Sequence, residues 1–162
     1  APIALPFIVI AGITGWRALQ RPSASRVAAV EEAARAMGWP EFATEVEAAW
    51  IRDGWTVSRD AGPGADFSAS QGWKRAAIAC KRWKVARTGV EPLRELAAAR
   101  ERLEAHEGLY VTVGEVSEQA VRFAAANRIR IVDGAELAKR MPALGRAGSL
   151  RVGNRSTGRP GA

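Results

Sequence analysis

The sequence predicts a three-layer α/β domain with a mixed central β-sheet flanked by helices, and three observations lead there. After an opening helix the elements read β-β-β-α-β-α-β, an order that calls for helices on both faces of one sheet. Residues 66–84 read as strand, turn and strand, so part of the sheet is antiparallel. Leu109-Tyr110-Val111-Thr112-Val113 is almost continuously apolar, which suits a strand covered on both faces.

Residues 1–16 carry no charge and read as the end of a transmembrane helix. Sixteen residues at ~1.5 Å each reach about 24 Å, short of a ~30 Å hydrocarbon core, so a full span needs residues upstream. The missing initiator Met agrees with a fragment. Trp16 followed by Arg17, Arg21 and Arg26 gives an interfacial aromatic and then positive charge, which places the following domain in the cytoplasm, at the inner membrane. A cleavable signal fits less well, because no charged segment precedes the apolar run. The expected division is 1–20 for the membrane segment, 21–38 for a juxtamembrane linker and helix, 39–141 for the folded domain and 142–162 for a tail.

Ser25 is expected to cap a helix from Arg26 to Met37, with Gly38 as its stop and Val27, Val30, Ala34 and Met37 as its apolar stripe. A second helix runs from Pro40 to Asp53, burying Phe42, Val46, Ala49 and Trp50, and Gly54 ends it. Trp55–Arg59 alternates as a short strand, and Asp60–Gly64 reads as a flexible turn. In the hairpin, the apolar or small residues Phe67, Ala69, Ala76, Ile78 and Cys80 fit strands and Gln71-Gly72 the turn between them. Gly89–Glu104 is a helix with leucines at 93, 96 and 103. Ser117 caps a helix over Glu118–Asn127 that faces Val121, Phe123 and Ala124 inward. Ile129–Val132 is the last strand and Gly134–Met141 the closing helix. Residues 142–162, rich in glycine and arginine, are expected to be disordered.

One cysteine, Cys80, and one histidine, His106, leave no disulfide framework and no His/Cys metal cluster, and no Ser-His-Asp triad has a credible local signature. Metal chemistry would have to use carboxylates, which suits Mg²⁺ or Mn²⁺. The net charge of +7 is unevenly placed: residues 39–141 hold 16 bases against 15 acids, whereas residues 142–162 hold four arginines and no acid. Inside the near-neutral domain, Lys74, Arg75, Lys81, Arg82, Lys84 and Arg87 fall in a stretch without an acid, with Trp73 and Trp83 interleaved. Such a patch suits a phosphate backbone; its structural counterpart is a lysine-guarded edge strand.

The chemistry concentrates at Asp66 and Lys81, read as a buried acid where the first hairpin strand begins and a buried base where the second ends. Strand alternation points Ala79 and Lys81 to one face, Ile78 and Cys80 to the other, so Lys81 can share a cleft with Asp66. A carboxylate that holds a divalent cation and a lysine that steadies developing charge are what metal-assisted phosphodiester cleavage needs.

Gly64-Ala65-Asp66-Phe67 and Ile78-Ala79-Cys80-Lys81-Arg82-Trp83 resemble the catalytic hairpin of the Mrr-type (type IV) restriction endonucleases, within the PD-(D/E)xK nuclease superfamily. Upstream, Trp39-Pro40-Glu41-Phe42 and Arg52 to Val57 follow the same pattern; downstream, so do Gly89 to Leu96, Gly108 to Thr112, Ala120 with Phe123-Ala124, and Ile131 to Leu137. The resemblance covers about residues 39–140 and implies a restriction-endonuclease-like fold in which the helix after the hairpin is the crossover between parallel strands. It implies DNA as partner and Mg²⁺ or Mn²⁺ as cofactor, with Asp66 and Lys81 catalytic. Lys74, Arg75, Arg82, Trp83, Lys84 and Arg87 are the expected nucleic-acid contacts. Membrane attachment and a second copy of the chain complete the expected partners.

Two positions depart from the pattern. Ala79 stands where the family carries Gln or an acid, and the family's first-helix glutamate falls at Ala43. Glu41, Glu45 and Glu47 are near but out of register; one position on a helix is a rotation of about 100°. Glu45 and Glu47, through a bent side chain or a shifted helix, or else the backbone carbonyl of residue 79, are therefore expected to complete the metal site with Asp66. Two functions stay open: metal-dependent DNA hydrolysis from an incomplete site, or an inactive nuclease-fold module that binds nucleic acid or serves as a scaffold.

Overall fold

A computed structural model of the chain describes residues 21–144. The expected membrane segment and most of the basic tail lie outside the described residues. Among the described residues, no helix is long and apolar enough to cross a membrane.

The chain builds α1 (Ala24–Ala36), α2 (Trp39–Arg52), β1 (Thr56–Ser58), β2 (Phe67–Gln71), β3 (Lys74–Ala79), β4 (Arg87–Thr88), α3 (Glu91–Arg102), β5 (Glu107–Val111), β6 (Glu115–Val116), α4 (Glu118–Ala126), β7 (Ile129–Val132) and α5 (Gly134–Arg140). The five-stranded sheet has the order β1-β2-β3-β5-β7. β1, β2 and β3 pair antiparallel, and β5 and β7 add in parallel, so the sheet is mixed as expected. β4 and β6 form a separate two-stranded parallel ribbon that the sequence reading did not anticipate.

Alternation along the strands divides the core in two. Phe67, Ala69, Ala76, Ile78, Leu109 and Val111 turn to one face, where Val30, Phe42, Val46, Trp50 and Leu137 of α1, α2 and α5 cover them. Ala77 and Tyr110 turn to the other, against Leu93, Leu96, Ala120 and Ala124 of α3 and α4. These are the three layers, each helix face burying its apolar stripe on a pleated surface.

Capping explains most element ends. Ser23, not Ser25, caps α1: its hydroxyl accepts from the Arg26 amide at 3.3 Å. The residue after Pro22 is extended (ψ 153°) as an N-cap must be, which leaves Ser25 inside the first turn. At the end of α2, Gly54 adopts φ +89°. The amides of Gly54 and Trp55 donate to Ile51 and Trp50, both at 3.0 Å, a Schellman closure that favours glycine at this position. Ser117 caps α4 as expected, accepting from the Ala120 amide at 3.2 Å.

Three expectations need correction. Val121 is 48 % exposed, because the inward stripe of α4 runs through Ala120, Phe123 and Ala124 and leaves position 121 on its flank. The hairpin turn is Gly72-Trp73, since Gln71 pairs with Lys74, and Gly72 takes φ +60°. The folded part also passes residue 142, because Leu144 is buried in the first core beside Met141.

Candidate active site

Asp66 sits just before β2, with its amide donating to the Ile78 carbonyl at 2.7 Å. Its carboxylate reaches across the hairpin: Oδ2 accepts from the amides of Cys80 at 2.7 Å and Lys81 at 2.9 Å. These bonds fix the carboxylate at the end of β3. Asp66 is partly buried, whereas Lys81 is exposed. The expected buried base is a solvent-facing one, because β3 stops at Ala79 and Lys81 begins the turn that follows. Both residues line one cleft of about 250 Å³, together with Ala79, Arg82, Glu95 and Tyr110.

The loop before Asp66, expected to be flexible, is tied to α3. Arg102 Nη2 donates to the carbonyls of Ala61 at 2.7 Å and Pro63 at 2.8 Å. Gly64 has φ +83°, and a Cβ there would lie 2.3 Å from the Glu95 carbonyl oxygen. Only glycine lets the loop lie this close to the helix backbone. The contact brings Asp66 beside α3.

Glu45 and Glu47, expected as metal ligands, are not among the residues lining the cleft. Glu47 is ion-paired with Arg59 on the neighbouring strand side. Ala43, at the register position for a first-helix acid, is buried in the first core. The helix has not shifted to bring a neighbouring glutamate round. Among the described residues, no three His, Cys, Asp or Glu side chains converge as a metal cluster.

Glu95 is the acid that the cleft does include, and sequence reasoning missed it. No local motif marks it. Its place follows from the direction of the crossover helix, which sets Pro92 and Glu95, three residues apart and on one helix face, beside the hairpin end.

The expected nucleic-acid surface divides. Trp83 is core: it is 2 % exposed, stacks on Phe42 with centroids 4.3 Å apart, and donates its indole N–H to the Ala34 carbonyl at 2.8 Å. Lys84 caps the end of α1, donating to the Met37 carbonyl at 2.8 Å, where a cation meets the negative end of the helix dipole. Trp83 is therefore withdrawn from the surface, whereas Lys84 stays exposed with its ammonium engaged at the end of α1. Lys74 and Arg75 stand at the opposite end of β3 from Asp66, where Arg75 reaches Glu104 at 3.9 Å and Lys74 lies 5.9 Å over the exposed Trp73 ring. Arg82 and Arg87 remain beside the cleft, exposed, and neither forms an ion pair among the described residues.

Two groups have shifted acidity. Burial, then the Asp66 carboxylate, pushes the Cys80 thiol well above its ordinary value, so this thiol stays protonated and unreactive. Burial also raises the Tyr110 phenol, against the opposing effects of Thr88 and Arg82. Tyr110 is thereby kept as a hydroxyl donor.

A family model described as restriction endonuclease (Mrr_cat) matches residues 34–141. No curated protein matches the chain. Among solved structures, the DNA modification-dependent restriction endonuclease AspBHI is similar with a TM-score of 0.49 and 18% identity, over 86% of this chain and 42% of that one. The chain thus spans less than half the length of that enzyme.

Proposed function

The chain belongs to the restriction endonuclease family matched over residues 34–141, and from that premise we propose that it is a DNA-binding domain with weak metal-dependent phosphodiesterase activity. The observation that carries this reading is the shared cleft: a carboxylate fixed by two amides beside an exposed lysine and an exposed arginine. Lys81 and Arg82 would bind the phosphodiester, and Lys81 would offset the negative charge that grows on it during attack by water.

The donor set fits a hard divalent cation held by few protein ligands. Asp66 Oδ1 makes no hydrogen bond among the described residues, and Glu95 lines the same cleft. Mg²⁺ commonly binds through one or two carboxylates with water and phosphate oxygens supplying the rest. Such a cation would acidify water and neutralise phosphate charge. Ala79 adds no side-chain ligand, so affinity for the cation is low and turnover slow.

The test is nicking of supercoiled DNA with Mg²⁺ or Mn²⁺ by the wild type and three variants. Ala79→Glu should raise cleavage, Lys81→Ala should abolish it, and Asp66→Ala should abolish cleavage while leaving DNA binding. Efficient cleavage by the wild type that Ala79→Glu reduces would overturn this account. The second reading, binding without cleavage, is favoured by Ala79 and by the lack of a three-acid cluster among the described residues; undetectable nicking at saturating DNA and Mn²⁺ selects it.

Membrane attachment through residues 1–20, with the domain in the cytoplasm, is part of the same proposal. It is supported by the uncharged run 1–16 and by a net-basic basin at Arg21, where Arg26, Arg52, Arg130, Lys139 and Arg140 outnumber Asp53, Asp133 and Glu136. Sedimentation of the full chain with anionic vesicles, lost on deleting residues 1–20, tests it.

A further inference from the structure

Beside the Asp66 cleft lies a second groove of about 290 Å³, lined by Arg82, Arg87, Thr88, Gly89, Pro92 and Tyr110. Three of these residues, Arg82, Pro92 and Tyr110, also line the Asp66 cleft, so the two form one continuous surface. Thr88 and Tyr110 are 2 % and 3 % exposed; their hydroxyls lie close enough for Thr88 to oppose the burial that raises the Tyr110 phenol, but neither oxygen has a partner in hydrogen-bond geometry. Leaving a buried hydroxyl unsatisfied costs about 1–3 kcal/mol, so two side by side are a marked departure from ordinary packing. Above them stand the two exposed guanidiniums that lack an acid among the described residues. Gly89 has no atom within 4 Å of the position a Cβ would take, so the groove floor is open at that point. One acid, Glu91 at the start of α3, also lines the groove and is paired with Arg94 at 2.7 Å. The groove therefore presents hydroxyl donors and two positive charges, the complement of an anionic oxygen group.

We propose that this groove is a second phosphate subsite, which holds the DNA strand at a phosphate flanking the one in the Asp66 cleft. Thr88 Oγ1 and Tyr110 Oη donate to a non-bridging oxygen, Arg87 neutralises its charge, and Arg82 spans the two sites. The proposal rests on the DNA-binding reading given above. It adds strand positioning: two phosphates held at fixed separation set which bond lies beside Asp66.

The experiment measures DNA affinity by fluorescence anisotropy on the full chain without divalent metal, across a salt series, with urea unfolding of each variant. Thr88→Val and Tyr110→Phe replace an orphaned hydroxyl by a near-isostere. Each should weaken binding by about tenfold, the scale of a hydrogen bond to a charged group, while stability holds or rises. Arg87→Ala should weaken binding and lower the salt slope by about 0.9, whereas Arg122→Ala, whose side chain pairs with Glu118, should change neither. If the hydroxyls serve packing alone, Thr88→Val and Tyr110→Phe lose stability and keep full affinity, and the subsite is refuted while DNA binding stands. If the wild type binds no DNA at low salt, the DNA-binding reading falls and the subsite falls with it.

Discussion

Trp83 offers the sharpest test of how the hairpin is held. Its ring lies 4.3 Å from Phe42 at an interplanar angle of 9°, and its N–H ties the turn after β3 to α1 at 2.8 Å. Trp83→Ala removes a fully packed indole, a loss of about 3–5 kcal/mol. Trp83→Phe keeps an aromatic ring against Phe42 and loses the hydrogen bond. The Ala34 carbonyl still accepts from the Met37 amide at 3.3 Å, so no acceptor is orphaned and the expected cost is about 1–2 kcal/mol. At roughly 2–4 °C per kcal/mol for a chain of this size, the alanine variant melts about 6–20 °C lower and the phenylalanine variant about 2–8 °C lower. Urea unfolding and DNA anisotropy on the same samples provide the assay, with affinity expected to hold in Trp83→Phe. If Trp83→Ala costs under about 1 kcal/mol yet weakens DNA binding tenfold, Trp83 is a nucleic-acid contact and the packing argument is wrong.

Gly64→Ala should cost more than about 2 kcal/mol, from left-handed backbone strain plus the clash with the Glu95 carbonyl, and should impair the cleft with it; a change below 0.5 kcal/mol, on the scale of an ordinary surface substitution, would show that the loop has room. Alkaline pH should destabilise the fold through Cys80. Below its ordinary value of 9.0 the thiol is protonated in both states; above it the unfolded chain loses the proton and the folded chain keeps it. Stability then falls by about 1.4 kcal/mol per pH unit until the folded thiol ionises, and Cys80→Ala should remove that component when urea midpoints are compared between pH 8 and 10. Leu144→Ala should lose about 2 kcal/mol by thermal melting, and an unchanged midpoint would place the domain boundary back at residue 142.

Periodicity made the elements readable because the interior imposes it. The α2 stripe of Phe42, Val46, Ala49 and Trp50 and the alternation of Ala76 to Ala79 each match the face that the structure buries. The hairpin pair was read from strand alternation and the resemblance, and Asp66 and Lys81 do line one cleft. What failed was the stretch after the strand. Reading β3 through to Lys84 made Trp83 a surface residue, but the chain turns after Ala79, and the turn rotates Trp83 inward and sets the exposed Lys84 against α1. The missed residues, Glu95, Thr88 and Tyr110, come from three separate elements. Their convergence depends on crossover direction and on the β4–β6 ribbon, which no local pattern encodes.

That ribbon has a kinetic consequence. Its two strands fasten the segment after β3 to the segment after β5, and Gly114 allows the crossing: a Cβ there would lie 1.9 Å from the Val85 carbonyl oxygen. Two segments that could otherwise wander independently at the carboxyl ends of parallel strands are joined by backbone hydrogen bonds before any ligand arrives. Association with a polyanion then requires no ordering step at Arg87 and Thr88. Its rate should be set by electrostatic encounter, falling steeply as salt screens the approach, with a single concentration-dependent phase in stopped-flow mixing and no slower isomerisation behind it.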